Sequence, residues 1–177
     1  MKKISTLLFS ILLLVACGGD IGPQGPQGQP GVNILGSVFE ATVNFTPQNN
    51  YSAFIEYPQE IEVFESDVVL VYLLETTISD STGPIDVWSL LPRTFYLQDG
   101  SALSYNFSHT FFDVELFLDG NTNFSTLGTE FTLDQTFRIA VLPADFAQNP
   151  NIDISDIEQV IQSLEVKQAD FSIQKID

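Results

Sequence analysis

Between Phe39 and Phe45 apolar and polar residues alternate without a break: Phe39, Ala41, Val43 and Phe45 on one parity, Glu40, Thr42 and Asn44 on the other. A period of two sends successive side chains to opposite faces of an extended chain, so the segment reads as a half-buried strand. The same constraint recurs down the chain. After a turn cluster at Pro47-Gln48-Asn49-Asn50, the residues Tyr51, Ala53, Ile55 and Tyr57 resume the alternation. Val68 to Leu74 is almost continuously apolar, which places it centrally with cover on both faces. Ser79 to Pro84 makes a polar break. Val87 to Leu91 and Thr94 to Leu97 are short strands around Pro92, a residue suited to an edge or a bulge.

Asp99-Gly100 is a turn signal between Phe95-Tyr96-Leu97 and the next strand. In that strand Leu103, Tyr105, Phe107 and His109 share a face. The alternation then changes phase across Phe111-Phe112, after which Phe112, Val114, Leu116 and Leu118 share the face. A bulge or bend near His109 to Phe111 accounts for the switch. Asp119-Gly120 begins another turn, and Gln135 to Leu142 gives a further strand before Pro143. One helix is expected. Ser155-Asp156-Ile157-Glu158 fits a capping box, and Ile157, Val160, Ile161 and Leu164 fall at helical spacing. Phe171 to Ile176 returns to alternation. The expected fold is all-β: a single antiparallel β-sandwich or barrel-like domain over residues 34–177, with seven to nine strands and one short C-terminal helix. A domain of this length buries roughly two-thirds of its unfolded surface, enough to stand without disulfides.

The N-terminal residues follow other rules. Lys2 and Lys3 precede a largely apolar run from Ile4 to Val15, too short for the roughly 20 residues of a spanning helix and suited to a signal-peptide core. Leu14-Val15-Ala16-Cys17 then resembles the lipobox of bacterial lipoproteins. That resemblance implies cleavage between Ala16 and Cys17, diacylation at the Cys17 thiol with palmitate-type chains, and often acylation of the new amino group. Two or more acyl chains anchor stably where one holds only marginally. Cys17 is the chain's only cysteine, so no internal disulfide is available. Removal of residues 1–16 leaves Arg93, Arg138, Lys167 and Lys175 against 23 acidic residues, a formal charge of −19. Nucleic acid, which needs a basic footprint, is excluded as a partner.

Glycine recurs at positions 19, 22, 25, 28 and 31, in triplets GDI, GPQ, GPQ, GQP and GVN. Glycine every third residue with proline between is the collagen pattern, because only glycine fits the axis of three chains. Five triplets offer little to offset the ordering of three chains, so the expected state is a monomer, with a trimer as the alternative. Such a segment, residues 17–33, favours extended polyproline II at about 3.1 Å per residue, and fifteen residues of it would hold a domain up to about 45 Å from the lipid. The tether, the lipobox and the segments Asp86-Val87-Trp88, Leu91-Pro92, Tyr105-Asn106-Phe107, His109-Thr110, Asp113-Val114, Leu116-Phe117-Leu118-Asp119-Gly120 and Phe137-Arg138-Ile139 together resemble small bacterial lipoproteins with an N-terminal collagen-like repeat. The resemblance implies a place in the cell envelope and an architecture. It lends no activity.

Signatures of chemistry are sparse. His109 is the single histidine, and its strand face marks it as a core or boundary residue. There is no Gly-x-Ser-x-Gly elbow, no phosphate-cradling or dinucleotide loop, and too few ligands for zinc. Asp119, Asn121, Asn123 and Glu130 have the spacing of calcium-loop oxygens, but Phe124 stands where that loop needs glycine, and a hairpin turn explains the same residues. No cofactor or metal is expected. The adjacent aromatics Phe95-Tyr96 and Phe111-Phe112 either pack into covered faces or bulges, or leave one ring of each pair outside as a docking or sugar-stacking surface. The reading these features favour is a lipid-anchored envelope protein that presents a non-catalytic β domain for binding, with an envelope protein or glycan as partner and the outer membrane as its place. The alternatives are a glycan hydrolase using two facing carboxylates, and a structural component of an envelope assembly.

Overall fold

The computed structural model describes residues 36–147, 151–164 and 173–176. Nine strands form two sheets packed face to face. In chain order they are β1 (Ser37–Val43), β2 (Ser52–Glu56), β3 (Val68–Asp80), β4 (Gly83–Leu90), β5 (Arg93–Tyr96), β6 (Ala102–His109), β7 (Asp113–Gly120), β8 (Gln135–Leu142) and β9 (Ile173–Ile176). One antiparallel sheet has the order β4-β3-β8-β1, and the other has the order β2-β7-β6-β5. The first is extended at its β1 edge by β9, which runs parallel to β1. The architecture is thus the expected sandwich, with a parallel edge strand as its one departure from antiparallel pairing.

The period-two text sorts side chains as alternation requires. Phe39, Ala41 and Val43 of β1, Ala53 and Ile55 of β2, Leu103 and Tyr105 of β6, and Val114, Leu116 and Leu118 of β7 all enter one core between the sheets. Phe45, Phe137 and Tyr105 meet edge to face there, with ring centroids of Phe45 at 5.9 Å from Tyr105 and 6.1 Å from Phe137. The Tyr105 hydroxyl, buried in this core, donates to the Phe131 carbonyl at 2.7 Å, so it enters without an unmet donor. The continuous apolar run of β3 has cover on both sides as its composition demands. Val69, Val71 and Leu73 face the other sheet, while Leu70 and Tyr72 lie under the helix.

That helix, α2 (Ile157–Ser163), follows a single turn α1 (Ala144–Ala147) that the sequence did not announce. Ile157, Val160 and Leu164 pack on Val38, Leu70, Tyr72, Ala140 and Leu142, and the Tyr72 hydroxyl donates to the Ile154 carbonyl at 2.5 Å. The cap is one residue later than the expected capping box. Asp156, not Ser155, accepts the amides of Glu158 and Gln159, because Ser155 is occupied with Asp153.

Three further expectations need correction. The polar break at Ser79 to Pro84 is only a two-residue tip, Ser81-Thr82. β3 and β4 run on as an exposed ribbon with Ile78 opposite Ile85, and Asp80 accepts from both the amide and the hydroxyl of Thr82. The phase change near Phe111 is a complete hairpin turn between β6 and β7 rather than a bulge. Pro92 lies in neither neighbouring strand. It follows a cis peptide bond at the corner where the chain leaves the first sheet for the second.

At that corner Glu75, the extra residue where the β3–β4 register shifts, reaches Arg93 of β5 at 2.6 Å and accepts from Ser89. The pair ties one sheet to the other. Burial works against ionisation of Glu75, but the Ser89 and Arg93 hydrogen bonds and the guanidinium charge outweigh it and hold its carboxyl below the ordinary value.

Candidate binding surface

Ala16 and Cys17, the expected cleavage and lipid sites, lie outside the described residues, as does the glycine-repeat tether. Among the described residues no helix is long and apolar enough to cross a membrane. What the structure does place is the aromatic text, and it places much of it outside.

The turn between β6 and β7 is built on Thr110 and Asp113. The Thr110 amide donates to the Asp113 carbonyl at 2.9 Å, its hydroxyl donates to the Asp113 carboxylate at 2.6 Å, and the same oxygen accepts the amides of Phe112 and Asp113. Thr110 and Asp113 therefore close the tip with their own polar groups, and the two intervening rings are left outside it. Phe111 is 55% exposed and Phe112 69%, with ring centroids 4.0 Å apart. Core packing of this pair is thus overturned, and with it the idea of one ring in and one out, since both are outside. At the other aromatic pair Phe95 packs against Tyr105 and Phe131, while Tyr96 is 85% exposed.

His109 is on the expected face but not in the core. It is exposed, because β5 begins at Arg93 opposite Tyr105 and leaves the last turnward residues of β6 with no neighbour on that side. Its ring stacks on Phe107 at 6.4 Å and an interplanar angle of 21°. Together with Thr110 and Phe111 it forms one wall of a shallow groove of about 160 Å³, whose other wall is Val63, Phe64 and Glu65 from the 57–67 crossover that carries the chain from β2 to β3. The crossover is pinned to the turn by two bonds. The Tyr57 amide donates to the Phe112 carbonyl at 3.2 Å, and the Tyr57 hydroxyl donates to the Thr110 carbonyl at 3.2 Å. Partial burial, and then the nearby Asp113 carboxylate, push the Tyr57 hydroxyl up to about 12.

Beside the groove lies the outward face of the second sheet. Phe54 projects from it, 61% exposed, opposite Glu115, and the next outward pair is Glu56 opposite Asp113. Glu115 accepts from Ser52 at 2.8 Å and from Ser108 at 3.2 Å. The groove itself holds one carboxylate, Glu65, so it does not bring together the two facing acids that glycoside cleavage needs. The calcium-spaced oxygens serve the backbone. Asp119 accepts the Gly120 amide, Asn121 the Ala102 amide, and Asn123 the Ser125 amide. Among the described residues no three His, Cys, Asp or Glu side chains cluster as a metal site would require.

The site and fold together define a β-sandwich with an aromatic, carboxylate-flanked end. No protein family, no curated protein and no solved structure matches the chain.

Proposed function

We propose that this chain is a lipid-anchored cell-envelope protein that holds a non-catalytic β-sandwich on a short Pro/Gly stalk and uses it for binding. The observation that carries the reading is the outward placement of Phe111 and Phe112 on a turn closed by hydrogen bonds between Thr110 and Asp113. Exposed aromatic rings held in fixed positions lose apolar area from water and little conformational freedom when a partner covers them, which favours recognition. The lipobox-like Leu14-Val15-Ala16-Cys17 supports the anchor, and the tether behind it supports a domain held away from the bilayer.

Mass spectrometry of the protein isolated from bacterial membranes tests the anchor. Acyl mass on Cys17 as the first residue is expected, and Cys17→Ser is expected to move the protein to the soluble fraction. An unmodified Cys17, or a serine variant that still partitions with membranes, overturns the proposal. Protease shaving of intact against lysed cells then distinguishes an outward-facing from an inward-facing domain.

A further inference from the structure

We infer that the aromatic end of the second sheet docks a cationic polypeptide segment, one that alternates Arg or Lys with apolar side chains. The inference rests on the binding role proposed above and names the partner's chemistry.

The exposed rings supply the apolar half of the argument. Phe111 and Phe112 crown the β6–β7 turn, Phe64 faces the turn across the groove at 45% exposure, and Phe54 stands on the adjoining sheet face. Tyr57 fixes the start of the crossover to the turn, so Phe111 and Phe112 are presented by bonded backbone.

Charge selects the occupant. Glu56 and Asp113 are directly opposed on the outward face, an arrangement that like charges make unfavourable, and Glu115 is the next outward residue along β7. Glu60, Glu62 and Glu65 add charge along the crossover. The two described arginines are engaged elsewhere, Arg93 with Glu75 and Arg138 with Glu40 and Glu158. A ring face is itself electronegative, so carboxylates beside exposed phenyl rings favour an ammonium or guanidinium group that satisfies both. The fold already uses this chemistry twice, with Arg138 4.0 Å above the Trp88 ring and Arg93 5.1 Å from that of Phe95. An anionic lipid surface, or a second copy of a chain that carries −19 without residues 1–16, would meet repulsion here, and an uncharged glycan would leave the opposed carboxylates unrelieved.

The test uses the full acylated protein in neutral phosphatidylcholine nanodiscs, titrated calorimetrically at physiological salt with a short synthetic peptide alternating Arg and Leu. Its counterpart with Glu in place of Arg and a neutral N-acetylglucosamine oligosaccharide are titrated in parallel. Only the cationic peptide is expected to bind. Phe111→Ser with Phe112→Ser is expected to weaken it by about tenfold or more, since exposed aromatic anchors dominate such contacts. Glu56→Gln is expected to weaken it by a few-fold, and Asp86→Asn on the other sheet to leave it within about twofold, as local pairing rather than overall charge requires. Unchanged circular dichroism confirms that the variants fold. Binding that ignores the phenylalanines, equal losses from Glu56→Gln and Asp86→Asn, or equal binding of either control ligand overturns the inference. Such a result with Cys17 acylated would leave the anchored-protein reading standing, whereas a bare Cys17 with intact peptide binding would do the reverse.

Discussion

Replacing Gly120 by alanine should destabilise the sandwich about two to three times as much as the same change at Gly100, and the structure says why. Both glycines have positive φ, 145° at Gly120 and 85° at Gly100, so alanine at either position suffers backbone strain of about 1–2 kcal/mol. At Gly100 nothing lies within 4 Å of an added Cβ, and strain is the whole cost. At Gly120 the added atom would stand 2.1 Å from the Ala102 carbonyl oxygen and 3.1 Å from its carbon, both backbone atoms of the paired strand. Relief requires β7 to part from β6 where Leu103 opposes Gly120, and this disturbs the Asn121 amide's bond to that carbonyl and the Asn121 side chain's bond to the Ala102 amide. Two such bonds contribute about 1 kcal/mol each, which brings the expected loss at Gly120 to about 3–4 kcal/mol against about 1–2 kcal/mol at Gly100. Equilibrium urea unfolding of the purified variants measures both, with unchanged slopes confirming that only stability has moved. Equal losses at the two positions would refute the close approach of β6 and β7 at this turn.

Two further outcomes are expected. Glu75 is held ionised below its ordinary value of 4.5, so its bonds to Arg93 and Ser89 contribute stability above that pH, and the contribution fades as the pH falls through the lowered value. Glu75→Gln should therefore cost roughly 0.5–1.5 kcal/mol at neutral pH, a figure kept small by the exposure of Arg93, and the variant's stability should converge on that of the parent in acid unfolding series below the ordinary carboxylate range. Asp156→Ala should remove the cap of α2 at about 1 kcal/mol, and hydrogen exchange should quicken first at the amides of Glu158 and Gln159, which would lose their acceptor.

Much of the fold was legible because strands with one face in water carry their burial in their parity. β2, β7 and β1 from Phe39 onward sort their residues as the alternation demands, and Gln135–Leu142, buried on both faces toward its end, has the ends its sequence implies. The turn at Thr110 was hidden because it contains no glycine, proline or asparagine, and two phenylalanines occupy its tip. Its signals were the phase change itself and the Thr110–Asp113 spacing, which lets a hydroxyl and a carboxylate close the loop. The candidate surface was obscured for the same reason. A phenylalanine in a sequence reads as core, and only the bonded turn shows that Phe111 and Phe112 have no core to enter. Likewise, parity put His109 on the correct face but could not show where β5 stops and that face opens to solvent.

The place of β8 in the first sheet has a consequence for biogenesis. β8 lies between β1 and β3 and bonds to both, so Ser37 waits for Val141 and Val68 for Leu142. A polypeptide that emerges amino end first during synthesis cannot close this layer until residues 135–142 have emerged. Pairings across such sequence separations form slowly. The topology itself sets the order of assembly, because the first sheet can be completed only once β8 is available to bridge β1 and β3.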